Sequence, residues 1–361
     1  MELFCGGEAA FGELLERINA SRQSIEINMF IWRDDEIGRR VLEALLEAAR
    51  RGVRITLRKD KLGSVFEHAE ECRRSMFHPS LPPSLALQSF FLGVFYPCAA
   101  RPRKPRSGYS ALAREFMATP GVSAELDAVR SDHSKFYIFD DEAVLLGGMN
   151  VEQRAFGRDI RGLEFMDFMA RLDGADLVKR FRDRLAGAPP DPLSEVDFII
   201  NRNGRLEAKD ALLSLIGGAK ESLRIFMAYV GDRELLELIA RKSFDIPVQL
   251  ICPDAANIQH DLNLAWLDRL LSKSRAAVYL SPKMVHAKAV LVDDAILTFG
   301  SVNMNKQGLE RLSELNVRVS DPRSPVIEAF RERFELEKHD ARQVSRPLPA
   351  NRIRATIEGA V

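Results

Sequence analysis

Two stretches of the chain share a spacing of residues suited to phosphorus chemistry. One runs from His133 through Lys135 and Asp140 to Gly147, Gly148 and Asn150, and the other from His286 through Lys288 and Asp293 to Gly300, Ser301 and Asn303. Each reads HxKxxxxD, then six residues, then GxxN, in a chain that holds only six histidines. An imidazole can attack phosphorus and form a phosphohistidine, dividing one difficult displacement into two easier ones. A second imidazole can protonate the leaving alkoxide and then take the proton of an incoming alcohol or water. The two must start in opposite protonation states, so their titrations are coupled. Lys135, Lys288, Asn150 and Asn303 supply cations and donors for the non-bridging oxygens, and this scheme requires no metal and no cofactor.

HSKFYIF and HAKAVLV both read as strands, which sets the His and Lys of each motif on one sheet face. Asp140 and Asp293 fall where strand-end turns are expected, with holding the backbone as their main role and direct catalytic contact as a second. Gly147, Gly148, Gly300 and Ser301 read as tight-turn formers, with the Ser301 hydroxyl as an extra donor. Asn150 and Asn303 have an alternative reading as left-handed turn residues. His68, His78, His260 and His339 have no partner spacing and read as ordinary surface residues, whereas Trp32, Trp266 and the phenylalanines read as core.

The elements around the motifs repeat as well, which makes an internal duplication the first hypothesis about architecture. Ile25, Ile27, Met29 and Ile31 alternate as in a strand, Ile37 to Arg51 has helical spacing, Gly52 stops it, and Val53, Ile55 and Leu57 resume a strand. Strand, helix and strand in so few residues indicate a βαβ unit in a largely parallel sheet. ASRQSIEINMF from Ala20 lies against AKESLRIFMAY from Ala219, GVRITLRKD from Gly52 against IPVQLICPD from Ile246, and the run from Asp167 against that from Glu314. The expected organisation is a first domain over 1–187, a linker over 188–196, a second domain over 197–345 and a poorly packed tail over 346–361.

At 361 residues the chain fits two domains rather than one core. Its 52 Lys and Arg balance its 52 Asp and Glu, which argues against a broadly basic nucleic-acid binder. Cys5, Cys72, Cys98 and Cys252 show neither metal-ligand spacing nor a disulfide framework, as expected of a reducing compartment. No secretory signal and no membrane-spanning run of apolar residues is visible.

The duplicated motif resembles that of the phospholipase D superfamily over essentially the whole chain. SIEINMFIWRDDEIGRRVLEALLEAARRGVRI, GGMN and SVNMN look most like bacterial cardiolipin synthases. The resemblance implies two similar α/β/α sandwich domains with mixed sheets, related by a pseudo-two-fold axis, and one active site per monomer. It also implies that His133 is the nucleophile and His286 the general acid and base, although the order is reversible. An acidic residue after the GxxN turn orients a catalytic histidine in this superfamily. Glu314 fits that place, Asp167 is its counterpart in the first half, and Glu164 is a rival. The expected function is metal-independent phosphatidyl transfer from phosphatidylglycerol or a similar phospholipid to an alcohol. Phospholipase D hydrolysis and a metal-independent nuclease are the alternatives.

The halves differ mainly by roughly 40 extra residues between Asp60 and His133, an insert over about 62–125. Within it, 85–106 joins a mostly apolar run holding Phe90, Phe91 and Phe95 to a cationic cluster holding Arg101, Arg103 and Lys104. Apolar and basic residues side by side suit an anionic membrane interface. A buried helix ending in a solvated basic loop is the plainer reading. The expected partners are phospholipids at a membrane surface rather than nucleic acid, and the expected location is the cytoplasmic face of the cell membrane.

Overall fold

Why the first half begins as it does follows from the helix Glu36–Arg50 and its two neighbouring strands. Asp35 accepts the Gly38 N–H at 2.9 Å as its N-cap. Ile37, Val41, Leu42, Leu45 and Leu46 then fall on one buried face. Gly52, at φ +92°, ends the helix in a backbone conformation that side chains rarely adopt, and the chain turns into the next strand. Truncating a fully buried residue such as Leu45 is expected to cost about 2–5 kcal/mol.

The computed structural model describes residues 1–69, 75–96, 108–157, 162 and 164–360. They form two compact units, one of Met1 with Leu3–Arg180 and one of Glu2 with Phe181–Val361.

The elements of the first half are β1 (Glu2–Cys5), α1 (Gly7–Ala20), β2 (Ser24–Met29), α2 (Glu36–Arg50), β3 (Arg54–Lys59), α3 (Gly63–Ala69), α4 (Pro83–Phe95), α5 (Ala111–Ala118), β4 (Val122–Glu125), β5 (Phe136–Phe139), β6 (Ala143–Gly147), α6 (Gln153–Phe156), β7 (Phe165–Met166), β8 (Phe168–Asp173) and α7 (Ala175–Ala186). The second half holds β9 (Val196–Arg202), β10 (Arg205–Leu206), α8 (Ala208–Gly218), β11 (Leu223–Met227), α9 (Arg233–Lys242), β12 (Val248–Pro253), α10 (His260–Leu271), β13 (Ala277–Ser281), β14 (Met284–Val285), β15 (Lys288–Val292), β16 (Ile296–Gly300), a π-helical turn (Gln307–Arg311), β17 (Glu314–Val319), α11 (Pro325–Asp340), β18 (Arg342–Val344) and α12 (Arg352–Ala360).

The first unit's sheet has seven strands in the order β1-β8-β6-β5-β2-β3-β4, and the second unit's has nine in the order β10-β9-β17-β16-β15-β11-β12-β13-β18. Without its two short edge strands the second order repeats the first strand for strand. Both sheets are mixed: β2, β3 and β4 run parallel, as do β11, β12 and β13, while the motif hairpins β5-β6 and β15-β16 are antiparallel.

The ladders also correct two of the sequence pairings. Ile25 faces Phe139 and Leu223 faces Val292, so Ile25 matches Leu223 rather than Arg224. By the same comparison Ile55 matches Val248, and Asp60 falls opposite Pro253 rather than Asp254. The ladder register sets like residues together: Ile25, Glu26 and Ile27 match Leu223, Arg224 and Ile225, and Ile55, Thr56 and Leu57 match Val248, Gln249 and Leu250, apolar against apolar and polar against polar. The third pairing stands: Gly147 faces Met169 and Gly300 faces Asn316, which makes Asp167 the counterpart of Glu314.

The tail differs from the expectation of a loose end. Arg346 pairs with Asp268 at 3.0 Å, Leu348 is buried, and Glu358 in α12 accepts the Leu262 N–H of α10 at 2.8 Å. A helix that buries its own carboxylate against another helix is packed structure, not fraying. Among the described residues no helix is long and apolar enough to cross a membrane.

Candidate active site

Each motif is mounted on its hairpin by its aspartate. Asp140 accepts the N–H groups of Arg22, Gln23 and Ser24, each at 2.8 Å, and Asp293 accepts those of Lys220, Glu221 and Ser222 at 2.7–3.0 Å. Both aspartates stand in the left-handed region at φ +53° and +54°. Burial alone would raise their pKa values, but the backbone donors bring both below the ordinary carboxylate range. These carboxylates are therefore engaged in clamping the motif turn to the loop that enters β2 or β11. Asn150 and Asn303 are not in the left-handed region, which the aspartates occupy instead.

His133 precedes β5, and His286 precedes β15, so the strand reading of HSKFYIF and HAKAVLV is right only from Phe136 and Lys288 onward. In the first half the Ser134 carbonyl accepts the Asn28 side-chain amide at 3.0 Å, which diverts it from a backbone ladder. Lys135 and Lys288 are buried, and each ammonium donates to the carbonyl of its own motif's histidine. Lys288 Nζ lies 3.0 and 3.1 Å from the two ring nitrogens of His286, and Lys135 Nζ lies 5.5 Å from the centre of the Phe30 ring. That same Phe30 ring meets His133 edge-on at 4.9 Å, whereas His286 has Tyr229 at 6.4 Å.

The asparagines are held differently. Asn150 Oδ1 accepts the Ile31 N–H at 3.2 Å, and its amide reaches toward Glu152 at 3.5 Å. Glu152 sits between Arg33 and Arg154 at 2.7 and 2.8 Å, and although burial opposes it, these cations bring its pKa down to about 2. Asn303 is buried, with no hydrogen-bond partner on Oδ1 among the described residues.

Gly148 and Ser301 occupy matched positions next to the two acids. A side chain at 148 would place its Cβ 2.4 and 2.5 Å from the Asp167 carboxylate oxygens, so only glycine admits the aspartate there. Ser301 instead bonds the strand carrying Glu314, its Oγ accepting the Leu315 N–H at 3.0 Å. Both acids are buried. Glu164 does not occupy the position that the ladder makes equivalent to Glu314.

In the insert, Phe90 and Phe91 are exposed on α4, joined by Leu87 and Val94 at helical spacing, all four at least half accessible to solvent. Phe95, the last residue of α4 and one turn beyond Phe91, is half-buried. Arg101, Arg103 and Lys104 lie outside the described residues.

His78 corrects the surface reading. It is buried, donates from Nε2 to the Leu126 carbonyl at 2.7 Å, and faces Lys59 Nζ with Nδ1 at 3.4 Å. Burial, and then the Lys59 charge, push its pKa down to about 4. Lys59 itself pairs with Glu67 at 2.8 Å, both fully buried, and burial lowers the lysine's pKa. Glu67 also accepts the Trp32 N–H at 2.7 Å. Polar residues at positions 59, 67 and 78 carry no periodic signal, so sequence reasoning misses the cluster.

Two α/β/α units with the same strand order, each presenting an HxK…GxxN motif on the same clamped hairpin, define a duplicated fold. The chain matches the family described as "Cardiolipin synthase, PLD-like domain" over residues 14–186 and 212–337, and belongs to it. It is 26% identical over 343 residues to cardiolipin synthase 1 of Bacillus anthracis, covering 86% of this chain and 61% of that one. It is 24% identical over 347 residues to the major cardiolipin synthase ClsA of Bacillus subtilis strain 168, covering 89% and 65%. The chain thus spans just under two thirds of the length of these relatives. Its fold is similar to that of phosphatidylserine synthase from Haemophilus influenzae Rd KW20, with TM-score 0.69 and 14% identity over 95% of this chain and 87% of that one.

Proposed function

We propose that the chain is a phosphatidyltransferase of cardiolipin synthase type, moving a phosphatidyl group from phosphatidylglycerol or a similar phospholipid to an alcohol. The observation that carries this reading is the matched mounting of two HxK motifs within a family described by that activity. One imidazole, assigned to His133, attacks phosphorus as the bond to the departing alcohol breaks, and the proton on His286 goes to that alkoxide. The acceptor hydroxyl then gives its proton to His286 and attacks the phosphohistidine, which releases His133. Lys135, Lys288, Asn150 and Asn303 stabilise charge on the non-bridging oxygens, and Asp167 and Glu314 orient the imidazoles.

The α4 stripe supports docking to a lipid surface as a peripheral protein, because four large apolar side chains left in water on one helix face gain by entering the interface. Location at the inner face of the cell membrane is part of the same proposal. The test is mass spectrometry of lipids after incubating purified protein with phosphatidylglycerol vesicles. Cardiolipin is the expected product; phosphatidic acid alone would replace transfer with hydrolysis, and cleavage of single-stranded DNA without lipid turnover would overturn the lipid reading.

A further inference from the structure

The two motifs have the same spacing but different surroundings. In the first unit Asp60, at the end of β3, accepts the N–H of Arg130 at 3.1 Å and that of Asp132 at 2.5 Å. Between those two anchors Ser131 is held at φ +52°, a left-handed conformation that is unfavourable for serine. Asp132 then accepts the Ser134 N–H at 3.0 Å and also its hydroxyl. Asn28 donates to the Ser134 carbonyl at 3.0 Å and to its Oγ at 3.1 Å. His133 thus lies between two residues, 132 and 134, that side-chain hydrogen bonds hold on both sides. All four framing residues are buried.

None of these side chains has a polar counterpart in the second unit. The ladders and motif spacing set Pro253 opposite Asp60, Val285 opposite Asp132, Ala287 opposite Ser134 and Phe226 opposite Asn28. There the Ala287 carbonyl accepts the backbone N–H of Ala228 at 3.1 Å, and Phe226 packs on Phe330 and Phe334 instead.

We infer that Asp60, Asp132, Ser134 and Asn28 are positioning residues that fix the main chain on either side of His133, and that this frame equips His133, not His286, for the covalent step. The inference rests on the two-histidine reading above and extends it to a division of labour. A nucleophile forms and breaks a bond to phosphorus along one line, and misplacement of about 1 Å can cost about 100-fold in rate. A proton donor needs only hydrogen-bond reach. The backbone that carries the more demanding group is the one expected to be fastened from both sides.

The experiment measures kcat and KM on phosphatidylglycerol vesicles for Ser134→Ala, Ser134→Thr and Asp60→Asn, with thermal midpoints alongside. Ser134→Ala copies the second unit and removes one hydroxyl. It is expected to lower kcat about 10- to 100-fold with KM within about twofold. Ser134→Thr keeps the hydroxyl and is expected to recover most of the rate. Asp60→Asn, which presents only one acceptor oxygen, is expected to lower kcat at unchanged KM even where its midpoint falls. A kcat for Ser134→Ala within twofold of the parent, or equal losses in the Ala and Thr variants, would overturn the frame. Full turnover by His133→Ala would instead overturn the two-histidine reading, so the two failures are distinguishable.

Discussion

Replacing Gly148 tests how the first half's acid is held. A Cβ at that position would lie 2.4 Å from Asp167 Oδ1 and 2.5 Å from Oδ2, about 1 Å inside ordinary contact. Asp167 is buried, and its Oδ1 accepts the Phe168 N–H at 2.8 Å, so the carboxylate must leave that bond to make room. Overpacking of this kind costs about 1–3 kcal/mol of stability. A displacement of about 1 Å in a group that orients a reacting imidazole costs about 100-fold in kcat, or about 2.7 kcal/mol of barrier. The second half solves the same problem with a larger pair, Ser301 beside Glu314. Gly148→Ser is therefore expected to lose about 100-fold in phosphatidyl transfer, and the double variant Gly148→Ser with Asp167→Glu is expected to regain at least tenfold of that loss. The assay is initial-rate cardiolipin formation from phosphatidylglycerol vesicles, with the thermal midpoint measured on the same samples. Undiminished activity in Gly148→Ser, or a double variant no better than the single, would refute the coupling of residue size at 148 to the acid at 167.

Buried His78 and half-buried Asp35 should make opposite contributions to acid stability. His78, lowered from 6.5 to about 4, contributes stability that is present above pH 6.5 and lost as pH falls toward 4, by up to about 3 kcal/mol. Asp35, raised from 3.8 to about 6 chiefly by burial, contributes stability that is present below pH 3.8 and lost as pH rises through 6. Urea unfolding from pH 7 to pH 4 should show His78→Gln gaining stability relative to the parent as pH falls and Asp35→Asn losing it; parallel curves for all three proteins would contradict this. Asp140→Ala and Asp293→Ala each remove an acceptor of three N–H groups and should cost about 1–3 kcal/mol apiece, read as matched drops in thermal midpoint; a loss confined to one of them would break the clamp's equivalence. Phe90→Glu with Phe91→Glu should leave the midpoint unchanged, because both side chains are exposed, and weaken sedimentation with anionic vesicles at least tenfold. Unaltered sedimentation would remove α4 as the docking face.

What the sequence made legible was set by how locally each feature is encoded. The paired motifs could be read because their chemistry requires particular side chains at fixed separations, and the α2 region because its caps and apolar face are contiguous. The equivalence of Asp167 and Glu314 held because both follow a motif turn at the start of a strand. The sequence pairing of β2 with β11, and of β3 with β12, is one residue off because the identities Ala20 with Ala219 and Asp60 with Asp254 lie outside the strands, whereas the alternation within them, Ile25-Glu26-Ile27 against Leu223-Arg224-Ile225, fits only the observed register. Lys59, Glu67 and His78 were invisible as a cluster, since charged residues so spaced usually face water and only tertiary packing brings them together. Phe95 follows Phe91 by one helical turn but is half-buried at the end of α4, while Leu87 and Val94 join Phe90 and Phe91 in the exposed stripe.

The most direct test of the account is a single-turnover reaction with phosphatidylglycerol labelled at phosphorus, stopped by denaturation at alkaline pH, where a phosphohistidine survives, and followed by peptide mapping. Label is expected on the peptide carrying His133, none in His133→Ala, and neither label nor cardiolipin is expected to accumulate in His286→Ala. Label on the peptide carrying His286, or cardiolipin formed with no labelled histidine at any time, would contradict it.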